Sequence, residues 1–374
     1  QRPFKYTPPT GYKKLNTYNL PDSSITDGSQ YMNTVTWTGD GTTSRSITGL
    51  GFSPDLVWSK SRSNTRSHLL FDSIRGAGGN KELSSNQTLA EGGLNTSLDG
   101  YLSSFDSDGF TASQGSNTIA YWNNSSEPYV AWNWRASDSS AVSNTDGTIT
   151  STVSANTTSG FSVVTYAGNG TSGATVGHGL GAKPAMVILK DRDAVGGWEV
   201  WHQNLGSESY FIRLNETSAT YTGSTNRWTA FSNSVITLGN NGTTNNNGDN
   251  YVAYCFAEVE GFSKFGSYTG NGSSDGPFVY TGFRPAFILE KNANSAYGWL
   301  LWDTSRSAYN MVTKYLVANI SGAEVDTLGA SGPNIDILSN GFKVRDPNAG
   351  WNQNGSTHVY MAFAENPFKN SLGR

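Results

Sequence analysis

Residues 265–291 read FGSYTGNGSSDGPFVYTGFRPAFILEK, and the chain contains two further versions of this stretch. Residues 164–190 read VTYAGNGTSGATVGHGLGAKPAMVILK, and residues 35–60 read VTWTGDGTTSRSITGLGFSPDLVWSK. Each version has two strand-like runs with a Gly-rich turn of the form G-[ND]-G between them. A stretch that recurs along one chain is typical of tandem structural modules.

Several landmarks follow one another in the same order in all three versions. A proline precedes each apolar run, an aromatic residue precedes each turn, and an aromatic residue followed by Asp or His comes further along. These landmarks are Pro54, Pro184 and Pro285; Trp37, Tyr166 and Tyr268; Phe71, Trp201 and Trp302; and Asp72, His202 and Asp303. We therefore predict three modules at 31–136, 159–262 and 263–374, with an extended N-terminal linker at 1–30 and a polar linker at 137–158.

The repeated runs have the character of β-strands. DLVWSK, AMVILK and AFILEK are short, contain β-branched or aromatic residues, and are bounded by Pro and Gly. The run YVAYCFAE at 251–258 is almost continuously apolar, which is typical of a strand covered on both faces. No segment holds a convincing helical period, so helix should stay well below the roughly 30% of an average globular protein. The sequence predicts an all-β protein of three tandem β-sandwich modules.

The composition disfavours several classes of partner. Only 14% of the 374 residues are charged, and the formal net charge is −4. A nucleic-acid partner needs clustered Lys and Arg, which the chain lacks. No run approaches the roughly 18 apolar residues of a transmembrane helix, so no membrane insertion is predicted. The single cysteine, Cys255, excludes an intrachain disulfide and is interpreted as a small buried hydrophobe.

Comparison of the copies tests each residue that could carry chemistry, because a site essential to the module should recur in it. The run DSDG at 106–109 resembles the start of a calcium loop, but the other copies lack its carboxylates, which favours a polar turn. His178 has Thr at the equivalent positions, which argues against a shared catalytic histidine. His202 aligns with Asp72 and Asp303, which favours a structural hydrogen bond. We predict no enzyme activity, no metal site and no cofactor.

The aromatic content indicates a binding role instead. The 11 tryptophans and 18 tyrosines exceed what three modest cores need. Trp198 and Trp201, like Trp299 and Trp302, are three residues apart, and on a strand such residues point to opposite faces. One member of each pair should therefore be core, while the other is available to stack on a sugar ring. We predict Trp198 and Trp299, together with Trp351 in a loop, as ligand-binding residues.

Two parts of the chain resemble a known group of proteins. The segment QRPFKYTPPTGYKKLNTYNLP resembles the junction that follows a SPRY-type domain in large structural proteins of marine bacteriophages. The tandem segments are similar to the repeat region after that junction, so the resemblance covers essentially the whole chain. It implies a virion protein from which a SPRY-like upstream portion is missing, and it supplies no catalytic or binding residue.

Three function classes follow. The first is a bacteriophage virion structural protein, a tail fibre or surface decoration, which lies on the virion surface among other virion proteins and contacts host surface polysaccharide. The second is a secreted bacterial adhesin that binds carbohydrate, and the third is a polysaccharide depolymerase. Because closed symmetry protects strand edges, we expect a homotrimer. The alternative is a monomer in which the three modules of one chain form a pseudo-ring.

Overall fold

The computed structural model describes residues 24–117, 121–137, 139–223 and 226–364. Most of the predicted N-terminal linker, residues 1–23, therefore lies outside the described part of the chain. Strands hold 40% of the residues and helices 4%, arranged as several separate antiparallel sheets. The predicted all-β fold is confirmed.

Module 1 comprises residues 24–136 and forms two sheets with a core between them. Its elements are β1 (Met32–Thr38), β2 (Arg45–Thr48), β3 (Leu56–Ser61), β4 (Leu69–Asp72), α1 (Thr96–Asp99), β5 (Tyr101–Asp106), β6 (Gly109–Ser113) and β7 (Pro128–Trp134). The larger sheet has the order β1-β7-β3-β4 and the smaller one β2-β6-β5. In the core, Trp37 stacks on Tyr129 with ring centroids 5.1 Å apart. Ile25 is buried and a 3-10 turn at Gly28–Gln30 leads into β1, so the end of the predicted linker is part of the fold.

Module 2 comprises residues 139–262 and has the same two-sheet plan. Its elements are β8 (Val142–Asn144), β9 (Ser151–Asn156), β10 (Phe161–Ala167), β11 (Thr175–Gly177), β12 (Met186–Asp191), β13 (Trp198–His202), β14 (Ile212–Arg213), β15 (Trp228–Phe231), β16 (Val235–Leu238), α2 (Gly242–Asn245) and β17 (Asn250–Phe256). The larger sheet has the order β14-β13-β12-β17-β10-β9-β8, and the smaller one β11-β16-β15. Tyr166 stacks on Tyr251 at 5.1 Å, as the aromatic pair of module 1 does.

The segment 137–158 is not the linker that the sequence predicts. Both β8 and β9 lie within it, and they extend the large sheet of module 2 beyond β10. Module 1 anchors the segment through Asp55, whose carboxylate accepts hydrogen bonds from the Ala136 amide at 2.7 Å and the Ser154 hydroxyl at 2.9 Å. Val153 adds one buried apolar side chain. A polar composition concealed these strands because their stability comes from pairing and from this anchor rather than from their own hydrophobicity.

Module 3 comprises residues 263–364. Its elements are β18 (Ser263–Thr269), β19 (Phe278–Tyr280), β20 (Pro285–Asn292), β21 (Leu300–Asp303), β22 (Lys314–Val317), β23 (Val325–Asp326), β24 (Ile335–Leu338), β25 (Gly341–Val344), α3 (Ala349–Asn352) and β26 (Thr357–Ala364). The larger sheet has the order β18-β26-β20-β21-β22-β23, and the smaller one β19-β25-β24. Tyr268 stacks on His358 at 4.8 Å, in the place of the aromatic pairs of the other modules.

The three modules meet in a shared core to which all three larger sheets contribute. At its centre lie three aromatic residues that occupy the same position in the last strand of each module, Trp134, Phe256 and Phe363. Their ring centroids form a triangle with sides of 6.0, 6.1 and 6.2 Å, and all three pairs are edge-to-face. The modules therefore form a closed ring with pseudo-threefold symmetry. This is the ring foreseen as the alternative to a homotrimer, and the homotrimer itself stays a prediction.

The last strand of each module explains why the ring closes. In β17, Val252, Tyr254 and Phe256 belong to the shared central core, while Ala253 and Cys255 belong to the core of module 2. Successive side chains of a strand point to opposite faces, so this strand is buried on both sides. The sequence-based prediction for YVAYCFAE is thereby confirmed. A sheet that is apolar on both faces needs a second partner besides its own small sheet, and the neighbouring modules provide it.

Candidate functional site

The predicted ligand-binding tryptophans are buried. Trp198 is 0% exposed, Trp299 is 1% exposed and Trp351 is 9% exposed. The prediction that these rings lie outside is wrong for a physical reason. Trp198 and Trp299 do point away from the core of their own module, but the face they point to is covered by the neighbouring module. Trp351 packs inside module 3, where the Tyr268 hydroxyl donates to its carbonyl at 2.7 Å.

The position of Trp198 carries an equivalent hydrogen bond at all three module interfaces. In each case a ring N–H of one module donates to a backbone carbonyl of the next. These bonds are Trp198 Nε1 to Ser84 O at 2.7 Å, Trp299 Nε1 to Arg213 O at 2.9 Å, and His68 Nε2 to Val317 O at 3.1 Å. They connect module 2 to module 1, module 3 to module 2, and module 1 to module 3. The two tryptophans therefore link neighbouring modules by hydrogen bonds, and they are not exposed for stacking on sugar rings.

A second row of contacts crosses the same interfaces from the aligned position Asp72, His202 and Asp303. Each residue reaches the last strand of a neighbouring module. The bonds are Tyr254 Oη to Asp72 Oδ2 at 2.9 Å, Trp132 Nε1 to Asp303 Oδ2 at 2.9 Å, and His202 Nε2 to Tyr360 O at 3.1 Å. The structural hydrogen bond predicted for His202 is confirmed.

The hydrogen-bonding group at this position differs between modules, and it matches the group that the neighbouring strand offers. Where the neighbour offers a side-chain donor, Tyr254 or Trp132, the partner is an aspartate. Module 3 has Met361 at the position of those donors, and Met has no hydrogen to give. His202 supplies the donor itself and bonds a backbone carbonyl instead. All three interfaces have a hydrogen bond at this position, but each uses a different pair of donor and acceptor residues.

Buried arginines accompany the two aspartates of this row. Arg75 donates to the module 1 aspartate at 2.5 Å and Arg306 to the module 3 aspartate at 2.6 Å, and neither arginine side chain is exposed. The equivalent residue beside His202 is Leu205. An unpaired buried carboxylate is costly, so the arginine belongs with the aspartate and is absent where the row contains a histidine.

Further charge and backbone contacts join the same neighbours. Two glutamates bridge an arginine of their own module and an arginine of the next: Glu91 contacts Arg75 and Arg192, and Glu324 contacts Arg306 and Arg62. Backbone hydrogen bonds repeat at all three interfaces, from Glu91 N to Arg192 O at 2.8 Å, Glu324 N to Arg62 O at 2.7 Å, and Thr220 N to Ala293 O at 2.9 Å. Charge contacts join two of the three interfaces, and a backbone hydrogen bond joins each of the three.

Two histidines at these interface positions, His68 and His202, and a third in a turn of module 2, His178, are fixed as neutral rings. Each uses Nε2 to donate to a carbonyl and Nδ1 to accept from an N–H. The Nδ1 donors are Trp58 Nε1 for His68, Leu180 N for His178 and Asn204 N for His202. Burial lowers the pKa of all three rings, to about 4 for His202. With both nitrogens occupied, these rings have no free position for proton transfer to a substrate.

Three equivalent lysines are buried and shifted in pKa, which makes them candidates for chemistry. Burial lowers the pKa to about 7 for Lys60 and about 8 for Lys190 and Lys291. Each ammonium donates to the carbonyl of the next residue at 2.6–2.7 Å and to that of the fourth residue on at 3.2 Å. In each module these two hydrogen bonds hold the turn that follows the strand, which is β3, β12 or β20. Their role is structural.

Glu290 and His358 form a buried pair in module 3. The carboxylate Oε1 and the ring Nδ1 are 2.6 Å apart, and the two side chains are 1% and 0% exposed. Burial raises the pKa of Glu290. The equivalent pairs are Ser59 with Tyr129 and Leu189 with Tyr251 in the other modules. The pair is specific to module 3, and it lies within the sandwich rather than in a cleft.

A groove of about 600 Å³ lies where the 137–158 segment meets module 1. Phe105, Arg135 and Asp55 line it, together with Ser139 and Ser140. The Asp55 carboxylate is already bonded by the hydroxyls and amides that anchor the segment, at 2.6–2.9 Å. Burial raises the pKa of Asp55. Its oxygens are committed to the fold, which leaves the groove without an unsatisfied buried group for a ligand.

The predicted polar turn at 106–109 is present, and Asp108 accepts hydrogen bonds from the Gly49 and Gly51 amides at 3.1 and 2.6 Å. Across residues 24–117, 121–137, 139–223 and 226–364, no group of three or more His, Cys, Asp or Glu side chains is placed to hold a metal ion. The helices in these same ranges are too short or too polar to cross a membrane.

Sequence reasoning missed a clamp that recurs in every module. A fully buried asparagine six residues before the stacked Tyr or His accepts a hydrogen bond from the backbone of the G-[ND]-G turn. These bonds are Asp40 N to Asn123 at 3.2 Å, Asn169 N to Asn245 at 2.8 Å, and Asn271 N to Asn352 at 2.8 Å. The constant spacing was visible in the sequence and would have identified the clamp.

Three large aromatic side chains of module 3 are exposed instead, and two of them share a strand while the third, Tyr309, lies in a loop. Phe278 is 46% exposed and Tyr280 is 64% exposed, both on β19 of module 3. The signal for them was also in the aligned copies, since FVY at 278–280 replaces SIT at 46–48 and TVG at 175–177. These two rings are the surface best suited to a ligand that stacks.

The sequence profile of a family described as a domain of unknown function, DUF7483, covers residues 27–367. The chain matches no curated protein.

We expect Trp198→Phe to destabilise the protein by about 1–3 kcal/mol more than Trp201→Phe, because only the first change leaves a buried carbonyl, that of Ser84, without its donor. Trp201 is a matched control: it lies on the same strand, is 2% exposed, and its Nε1 has no hydrogen-bond partner among the described residues. Urea unfolding followed by circular dichroism measures both losses. Equal losses would contradict the proposed role of the Trp198 hydrogen bond in linking module 2 to module 1.

We expect stability to fall as the pH drops from about 6.5 toward 4. The unfolded chain binds protons on His68, His178 and His202 in this window, whereas the folded chain keeps these rings neutral. In His202→Gln, the amide still donates to the Tyr360 carbonyl but does not titrate. The free energy of unfolding of this variant should therefore depend less steeply on pH, by up to about 1.4 kcal/mol per unit. Parallel pH profiles for the two proteins would show that His202 is not held neutral.

Proposed function

The chain belongs to the DUF7483 family, described as a domain of unknown function, and we propose that it is a non-enzymatic structural protein of a bacteriophage virion, a tail fibre or a surface decoration. The starting point is the resemblance of its N-terminal and tandem segments to structural proteins of marine bacteriophages. On the particle, the protein lies at the virion surface, next to other virion proteins and in reach of host polysaccharide.

The observation that carries this proposal is the closed ring of three modules. Equivalent hydrogen bonds join all three interfaces, and aromatic rings fill the axis. Such a ring is a rigid unit with pseudo-threefold symmetry, which fits a symmetric particle position better than the flexible clefts of many enzymes. The ionisable groups that a mechanism would use, His202 and Lys190 among them, are instead committed to hydrogen bonds within the fold.

The surface composition supports a role outside the cell. Charged residues are 14% of the chain, and Ser, Thr, Asn and Gly take their place at the surface. Attraction between exposed charges is screened at high ionic strength, with a Debye length of only about 3 Å at 1 M salt. A surface that depends little on charge keeps its contacts in brine.

Contact with host glycan is the finer part of the proposal. Individual contacts can be weak, because many copies on one particle convert later contacts into intramolecular ones and raise avidity by roughly 10² to 10⁴. The buried Trp198 and Trp299 do not provide these contacts. The exposed aromatic side chains of module 3 are available for them.

The direct test is to look for the chain in purified particles of the phage that encodes it. We expect mass spectrometry to find it at a fixed ratio to the major capsid protein, and gold-labelled antibody against the chain to decorate the intact particle. The control is the free-protein fraction of the same lysate. Absence from the particles, with the chain on the bacterial surface, would overturn the virion role and favour the adhesin.

A further inference from the structure

The three modules share one arrangement of sheets but differ in the number of apolar side chains that they expose. Of the ten large apolar side chains that are exposed among the described residues, seven belong to module 3: Phe278, Tyr280, Tyr309, Met311, Ile320, Val325 and Leu328. Each module has the same two-sheet plan, and these exposed side chains take no part in the shared central core, so closure of the ring does not require this asymmetry. Two of the seven, Phe278 and Tyr280, lie on one strand, and exposed aromatic side chains that only one of three equivalent modules carries mark a candidate binding surface.

Phe278 and Tyr280 stand together on the outer face of the small sheet. They flank Val279, which is 4% exposed and belongs to the core of module 3, so alternation places both rings on the opposite side. Residues two apart on a strand are separated by about 6.8 Å. The equivalent outer positions are Ser46 and Thr48 in module 1 and Thr175 and Gly177 in module 2. Only module 3 presents two aromatic rings there.

Glycines on both sides keep this platform flat. Gly341 lies opposite Tyr280 on β25, and a Cβ added to it would be 3.1 Å from the Phe278 ring. A Cβ added to Gly282 would be 3.7 Å from the Tyr280 hydroxyl. The rings therefore extend over backbone that carries no side chain.

A charged but balanced rim lies at the Phe278 end of the platform. Lys343, opposite Phe278, donates to the Gly276 carbonyl at 2.9 Å and pairs with Asp275 at 2.9 Å. The Asp275 side chain is 83% exposed. The next outward pair is Arg345 with Asp336 at 2.5 Å. The rim offers hydrogen-bond donors and acceptors with no net charge.

These features specify the chemistry of the ligand. An apolar protein surface laid over the rings would desolvate the Lys343–Asp275 pair, which is unfavourable. A polyanion would meet the exposed Asp275 carboxylate. A neutral sugar has an apolar ring face for stacking and hydroxyls at its edge for the rim, so it satisfies both parts of the surface at once.

We propose that Phe278 and Tyr280 form a saccharide-binding platform, on which successive pyranose rings of a neutral polysaccharide stack while Asp275 and Lys343 bond their hydroxyls. This inference rests on the proposed role in host-glycan contact and assigns it a place. The platform occurs once per ring, so binding strength on a particle comes from the number of copies displayed.

The test is saturation-transfer NMR on the full-length protein, with cellohexaose, maltohexaose and chitohexaose as separate probes at millimolar concentration. We expect transfer to sugar ring C–H protons from at least one probe. Phe278→Ser combined with Tyr280→Thr, which installs the residues of module 1, should weaken binding about tenfold or more. Tyr309→Ser is the matched control, because Tyr309 is 87% exposed and lies outside the platform. It should leave binding unchanged.

The remaining outcomes are decisive as well. Both variants change exposed side chains and should melt with the wild-type protein, which separates lost binding from lost folding. No transfer from any of the three probes, or equal binding by the double variant, overturns the platform. Light scattering supplies one more contradicting result: the wild-type protein is an oligomer and the double variant is a monomer. In that case Phe278 and Tyr280 would form a contact between copies of the chain. None of these results affects detection of the chain in particles, so the virion role is judged separately.

Discussion

The larger sheet of every module is apolar on both faces, and the rest of the structure depends on this constraint. One face packs on the small sheet of the same module, and the other faces the axis, where Trp134, Phe256 and Phe363 meet. Full burial of one such ring contributes roughly 1.5–3 kcal/mol. A module on its own would expose that second face to water. Closing the ring is the way one chain covers all three faces without a further partner.

Polar contacts then give each interface its own identity. The pairs Asp72 with Tyr254, Asp303 with Trp132, and His202 with the Tyr360 carbonyl occupy equivalent places but are not interchangeable. A module placed beside the wrong neighbour would leave a donor or an acceptor buried and unpaired, which costs about 1–3 kcal/mol for each group. Two constraints therefore fix the order of modules around the axis. One is the connection of the chain, and the other is the specific pairing of hydrogen-bonding groups at each interface. A fixed order allows a feature of one module, such as the exposed aromatic side chains of β19, to occur once per ring.

Much of this fold could be predicted by comparing the copies with one another. The module number and the structural role of His202 come from aligned positions, while the β class and the two-sided burial of YVAYCFAE come from the character of the strand-like runs. The exposure of Trp198 and Trp299 was predicted wrongly because strand spacing shows which face a residue is on, but not what covers that face. The strands in 137–158 were missed because their sequence is polar and their stability comes from pairing with β10 and from Asp55, which lies 99 residues before Ser154. The exposure of Phe278 and Tyr280 depends on β19 lying in the small sheet with its outer face uncovered, which residue type alone does not show.

The central claim is that the three modules form one cooperative unit built on the axial aromatic triangle. Equilibrium urea unfolding of the full chain, followed by tryptophan fluorescence and by far-ultraviolet circular dichroism, tests it most directly. The account predicts a single transition that coincides for both probes. Phe363→Ala should shift that whole transition to lower urea, by a loss of about 3–5 kcal/mol. Separate transitions for separate modules, or a shift confined to one of them, would contradict it.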